Sequence, residues 1–140
     1  FYYRMEGIMK KYFNLATVYL VIGLAMGMVY REFTKLNEFQ GETVLSGVHT
    51  HALTLGFMFF ILVLILIKNF NISQIKGFKA WSILYNISLI YLLVTLTIRG
   101  MLQVLGKDFA GLSHIAGLGH ILLSISLIWF VVIVNKSIKE

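Results

Sequence analysis

The chain contains no cysteine and no proline, and only 13% of its 140 residues are charged. The absence of cysteine excludes disulfides, thiolate metal sites and cysteine nucleophiles. Without proline, we expect unbroken helices, unlike the discontinuous helices of many secondary transporters. The sequence also lacks GxSxG, HExxH and glycine-rich phosphate-binding motifs, so nothing in it supports hydrolytic chemistry.

Hydrophobic residues make up 59% of the chain, which leaves too little polar surface for a soluble domain of this size. Four apolar stretches are each long enough to cross ~30 Å of hydrocarbon at ~1.5 Å per residue. We therefore predict an all-α, antiparallel four-helix transmembrane bundle that forms one domain over residues 9–140. The predicted helices are Tyr12–Tyr30, Val44–Ile67, Ala80–Leu105 and Leu112–Val134.

The first eight residues do not fit this design. Met9-Lys10-Lys11 is a typical bacterial start before a first membrane helix, so we expect Phe1–Ile8 to be translated leader or cloning-derived residues. The first apolar run is too long for a cleavable signal peptide and is followed by no small-residue cleavage site.

Positive charge is concentrated at one end of the predicted bundle. Four spans place both termini on the same side, and the positive-inside rule assigns that lysine-rich side to the cytoplasm. The basic residues flank apolar spans and form no single face, which excludes a nucleic-acid partner. The eight cations on the predicted cytoplasmic side are Arg4, Lys10, Lys11, Lys68, Lys76, Lys79, Lys136 and Lys139.

The strongly polar residues at membrane level lie near the opposite, outward-facing end. Counted from the lysines at ~1.5 Å per residue, they occupy one band ~12 Å thick, to which every helix contributes. Ionisable groups inside a membrane are costly and usually mark function, so the band predicts a binding site. Its members are Arg31, Glu32, His49, His51, Arg99, Gln103, His114 and His120.

His49 and His51 lie two residues apart on the second helix, which turns them ~200° from each other. They therefore cannot both bind one metal atom from a regular helix, and one of them is free to cap or hydrogen-bond at the interface. Two features of the sequence differ on which of them is the partner of His120. The predicted depth in the membrane favours His51, whereas His49 lies on a helix face with the small residues Ala52 and Gly56, which favours His49. We give a slight preference to His49.

The fourth helix carries His120 on a stripe of small residues, whereas His114 lies nearer the membrane surface. Such a stripe either lets two helices pack closely or clears a slot for a flat macrocycle whose iron His120 would bind. Arg31 and Arg99 lie at the same depth and suit propionate carboxylates, although snorkelling to headgroups or pairing with Glu32 would also explain them. The stripe comprises Ser113, Ala116, Gly117 and Ser124.

Two other interpretations stay open. Three or four of His49, His51, His114 and His120 would form a copper or zinc site, with or without methionine ligands. Alternatively, the band holds only water and ion pairs, as in an accessory subunit. The methionines near the band are Met26, Met28 and Met101, and the aromatic residues expected in an interface belt are Trp81, Tyr85 and Trp129.

Several short motifs match a known pattern: Tyr30-Arg31-Glu32-Phe33, His49-Thr50-His51, Arg99-Gly100 with Gln103, and Gly117-x-x-His120. Through them, residues Met9–Lys139 resemble a family of small four-helix bacterial membrane proteins of unknown function. That resemblance implies a topology and no activity.

A second resemblance concerns the second helix alone. Leu45-x-x-Val48-His49-Thr50, followed by an apolar helix that contains glycine, is similar to the second helix of heme–copper oxidase catalytic subunits. There the histidine at the position of His49 ligates a low-spin b-type heme. The chain has far fewer helices than those oxidases and no copper-site histidine cluster, so the resemblance implies heme binding and not oxygen reduction.

Together these observations predict a b-type heme protein of the bacterial cytoplasmic membrane, used for electron transfer, quinol chemistry or gas and redox sensing. The predicted iron ligands are one of His49 and His51, together with His120, and Arg31 and Arg99 are expected on the propionates. Besides the lipid bilayer, the expected partner is a quinone or a redox protein, and the glycine stripes permit a homo-oligomer.

Overall fold

The computed structural model describes residues 2–139, and its regular structure there is entirely helical. Four of the helices are long and apolar enough to cross a membrane, which confirms the predicted all-α, four-helix fold class. We name them α1 (Tyr2–Leu36), α2 (Leu45–Phe70), α3 (Phe78–Val104) and α4 (Ala110–Lys139).

Each helix extends beyond its predicted stretch at one end or at both, although α2 begins one residue later and α3 ends one residue earlier than predicted. At the start of the chain, residues 2–8 are the first turns of α1, and Met5 and Ile8 pack against the core. Phe1, the first residue of the expected leader, lies outside the described residues. The helices end at short loops where Asn71 and Gly106 take positive φ values of 49° and 69°, a left-handed conformation that stops a helix.

α2 is continuous, as the absence of proline predicts, but it is not regular. Its middle, Ala52–Met58, is a π-helix that begins directly after His51. Tyr85 of α3 donates a hydrogen bond of 2.7 Å to the carbonyl oxygen of Leu55 within this segment. The wider turn changes how the two halves of α2 are rotated about the helix axis, and π segments of this kind often lie at functional sites.

The bundle core is aromatic. Trp81 and Tyr85 of α3 are fully buried with Phe60 of α2, and the rings of Phe59 and Tyr85 stack 4.6 Å apart. The indole nitrogen of Trp81 donates to the carbonyl oxygen of Ser126 on α4 at 2.9 Å. The expectation that Trp81 and Tyr85 belong to an interface belt was therefore wrong, because both rings find their polar partners inside the bundle.

α3 is the central helix, and glycine sets how closely its neighbours approach. A Cβ atom on Gly100 would lie 2.5 Å from the backbone nitrogen of Leu45, so the start of α2 packs directly on the end of α3. A Cβ on Gly119 of α4 would lie 3.1 Å from Cα of Leu92 on α3. These contacts hold α2 and α4 against α3 near the histidine end, which we define as the end where α2 begins and α3 ends.

Candidate functional site

A cleft of about 900 Å³ opens at the histidine end, with α2 and α4 as its facing walls and α3 between them. We call it the histidine cleft. Tyr30 of α1 and the segment 41–44 also border it. The lining residues from the three walls are Ser46, Gly47 and His51 of α2, Leu96, Arg99 and Gln103 of α3, and Ser113, Ala116, Gly117 and His120 of α4.

The small residues of α4 explain why this space is open. A Cβ atom built on Gly117 would meet no atom within 4 Å, whereas one on Gly119 would press on the α3 backbone. Gly119 therefore serves close helix packing, and Gly117 faces the cleft together with Ser113 and Ala116. Close packing against α3 is thus made by Gly119, which is not part of the predicted small-residue stripe, and three members of that stripe border open space.

His51 and His120 face each other across the cleft. Their ring centroids lie 6.0 Å apart, and the ring planes meet at 86°. His51 comes from the last turn of regular helix before the π segment, and His120 lies three residues, about one turn, after Gly117 on α4. Within the described residues, these two imidazoles are the histidine side chains that border the cleft.

Each of these rings is oriented by its own helix. Nδ1 of His51 donates to the carbonyl oxygen of Gly47 at 2.7 Å, and Nδ1 of His120 lies 3.4 Å from the carbonyl oxygen of Ala116. A carbonyl only accepts, so these bonds place the proton on Nδ1 and leave the lone pair on Nε2. Metal-binding histidines are typically held in this way, by a hydrogen bond at the nitrogen that does not bind the metal.

His49 faces a different helix. Its ring lies beside Gly27 of α1, where a built Cβ would be 3.8 Å from the imidazole, and its Nδ1 is buried without a hydrogen-bond partner. The predicted opposition of His49 and His51 is therefore seen in the structure. Our slight preference for His49 as the partner of His120 does not match this placement, because His51 is the residue that reaches His120.

The other histidine, His114, is exposed near the start of α4 and does not border the cleft. Within residues 2–139, no group of three or more histidine, aspartate or glutamate side chains could hold a metal ion. The three- or four-histidine copper or zinc site considered above is thus not assembled.

One of the two predicted arginines belongs to the cleft. Arg99 borders it, and its Nε lies 3.4 Å from Oδ2 of Asp108, in the loop before α4. Gln103 donates to the same carboxylate at 3.2 Å and accepts the backbone N–H of Val44 at 2.8 Å. This network joins α3, the loop and the start of α2 at the mouth of the cleft.

Arg31, the other predicted arginine, points elsewhere. Its side chain is 80% exposed, and its nearest carboxylate is that of Glu32 at 3.8 Å. Sequence reasoning missed Asp108 and Thr43, whose hydroxyl donates to the carbonyl oxygen of Gly100 at 2.8 Å. Asp108 follows Lys107 in a loop, and a single carboxylate in a loop does not mark a binding site in the sequence. Its contacts with Arg99 and Gln103 are visible only in the structure.

The helices and the cleft define a multi-pass membrane protein with two facing histidines in an interhelical site. Residues 9–137 match the family described as "Protein of unknown function (DUF2871)", and the chain belongs to that family. No curated protein and no solved structure matches the chain. The similarity of the second helix to heme–copper oxidases therefore stays a prediction.

Proposed function

We propose that this protein binds one b-type heme in the histidine cleft, with His51 and His120 as the two axial ligands, and that it serves electron transfer, quinol chemistry or redox sensing in the bacterial cytoplasmic membrane. The observation that carries the proposal is the spacing of the two imidazoles. A bond from imidazole to a metal is ~2 Å long and the ring centre lies ~1 Å behind the nitrogen, so two rings on opposite sides of one metal have centres ~6 Å apart. The separation of 6.0 Å between the ring centroids of His51 and His120 agrees with this value.

The cleft also suits a flat macrocycle in size and shape. Its volume of about 900 Å³ falls within the ~300–1,000 Å³ typical of ligand sites. Gly47, Ala116 and Gly117 keep its walls low beside the two histidines, so a planar group can lie between α2 and α4. A bulky residue at any of these positions would fill that slot.

Charge at the mouth supports the same ligand. Arg99 borders the cleft and is only partly exposed, with 23% of its side-chain surface accessible. A guanidinium there binds a propionate carboxylate well, and Asp108 already shows that it accepts a carboxylate partner. In the proposal Arg99 holds one propionate, and Arg31, which does not border the cleft, has no part in binding.

The heme, when bound, supplies a reversible one-electron change at its iron. The chain's own residues set the conditions for that change. The hydrogen bonds at Nδ1 orient both imidazoles, and the Arg99–Asp108 pair sets the local charge.

The orientation belongs to the proposal as well. The lysine-rich end would lie in the cytoplasm and the histidine end would face outward, by the positive-inside rule. Because the chain has no cysteine, single substitutions test this directly. In intact cells, a membrane-impermeant maleimide should label Lys107→Cys and should label Lys136→Cys only after lysis. The reverse pattern would contradict the orientation.

Purification from heme-sufficient cells tests the function. We expect a red protein with a Soret absorption band and about one heme per chain, and with no stoichiometric zinc or copper. A colourless preparation with bound copper or zinc would show that the protein binds a non-heme metal and not heme. A colourless, metal-free preparation would leave the accessory-subunit interpretation and would overturn the proposal.

A further inference from the structure

A second cleft lies at the opposite, lysine-rich end of the bundle, between α1 and α2. Its volume is about 650 Å³. Its walls are mainly apolar and are formed by Met5, Met9 and Phe13 of α1 and Leu64 of α2. We call it the lysine groove, because Lys10 and Lys68 border it from the two helices. It shares no residue with the histidine cleft.

The two lysines give the groove its charge. Within residues 2–139, side-chain ion pairs closer than 4.0 Å join Arg31 to Glu32 and Arg99 to Asp108, and neither pair involves Lys10 or Lys68. Glu6 also borders the groove, so the three ionisable groups together carry one net positive charge. The site is therefore an apolar trough with two ammonium groups available to an anion.

The charged and the apolar parts of the lysine groove lie at different depths along the helices. Phe13 lies one turn deeper into α1 than Lys10, and Leu64 lies one turn deeper into α2 than Lys68. Phe13 is 57% exposed, so its ring presents a large apolar surface that no other part of the described chain covers. A ligand that matches this arrangement is amphipathic, with its negative group at the lysines and its apolar part toward the membrane centre.

We propose that the lysine groove binds one anionic phospholipid, with its phosphate between Lys10 and Lys68 and an acyl chain along Phe13 and Leu64. Basic pockets between transmembrane helices bind anionic lipid headgroups in this way. A free phosphate ion would use the lysines but not the apolar walls, which make up most of the groove. The inference is independent of heme binding and of which side of the membrane the groove faces.

Native mass spectrometry of the full-length protein in neutral detergent tests the lipid site. The probes are phosphatidylglycerol and phosphatidylcholine, offered together in equal amounts. We expect one phosphatidylglycerol to stay bound at detergent concentrations that remove phosphatidylcholine. The double variant Lys10→Gln/Lys68→Gln should weaken this binding at least tenfold. A matched control, Lys136→Gln/Lys139→Gln, removes the same charge from the same end of the bundle and should bind as the unmodified protein does.

Three results would overturn the lipid site. Equal retention of the two lipids would show that the groove does not select an anionic headgroup. An equal loss in the control variant would assign the effect to overall charge. Displacement of phosphatidylglycerol by millimolar inorganic phosphate would show that the apolar walls contribute nothing. Because both lysines are exposed, the variants should keep the thermal unfolding midpoint of the parent, which confirms that they are folded.

Discussion

His51 and His120 lie opposite each other across an interhelical cleft, with their ring centroids 6.0 Å apart and their planes at 86°. They come from two helices, α2 and α4, and the cleft between these helices is open beside Gly117. The pair is oriented from behind, since His51 donates to Gly47 and His120 points to Ala116. This relationship is the basis of the heme-binding proposal.

Gly117 tests whether the open space is needed for the ligand. Gly117→Leu should lower the heme content several-fold, because the new side chain would enter the slot between α2 and α4. The helix itself should stay folded, since nothing lies within 4 Å of a Cβ at this position. Heme per chain and the thermal unfolding midpoint are the two measurements. Leu118→Phe is the control, because it adds bulk on the 46% exposed side of α4 and should leave both values unchanged.

Gly100 tests the contact that positions α2. Gly100→Ala should lower the free energy of unfolding by about 1–3 kcal/mol, because the added methyl group would meet the backbone of Leu45 and the helices would have to separate. Unfolding in mixed micelles titrated with sodium dodecyl sulfate measures the change. Gly117→Ala, where the methyl group has room, should be neutral or stabilising by up to ~1 kcal/mol, since alanine favours a helix over glycine. Equal effects of the two substitutions would contradict the close approach.

Arg99 and Asp108 test the electrostatic part of the proposal. Arg99→Gln removes a positive charge beside the cleft and should lower the heme midpoint potential by tens of millivolts. The reason is that the oxidised iron carries more positive charge than the reduced iron, so the loss of a nearby cation stabilises the oxidised state more. Asp108→Asn removes the opposing charge and should raise the potential. Spectroelectrochemical titration of each variant measures the shift. Arg31→Gln is the matched control, with a side chain that is 80% exposed and outside the cleft, and its potential should equal that of the parent.

Much of the fold is predictable from the sequence, because each helix is a long apolar run bounded by charged or loop residues. The number and type of helices follow from that pattern. The π segment at Ala52–Met58 does not, since it depends on packing against Tyr19 and Tyr85 and has no residue signature in α2 itself. Burial of Trp81 is also a packing result, because its partner is a backbone carbonyl on α4.

The sequence predicts how deep the site residues lie along their helices, but not which way their side chains face around each helix axis. Counting residues from the lysines places His51, Arg99 and His120 at one level, and the structure lines one cleft with them. The same count includes His49 and Arg31, which face α1 and the surface. Rotation about a helix axis decides between such residues, and it depends on contacts such as Gly27 with His49 that a single sequence does not reveal.

The most direct test is the reduced-minus-oxidised absorption spectrum of four histidine variants purified in parallel. Heme ligation by His51 and His120 predicts that His51→Ala and His120→Ala each lose the low-spin b-type signal. His49→Ala and His114→Ala should keep it, because those side chains lie outside the cleft. An unchanged low-spin spectrum in His51→Ala or His120→Ala would contradict the proposed ligand pair.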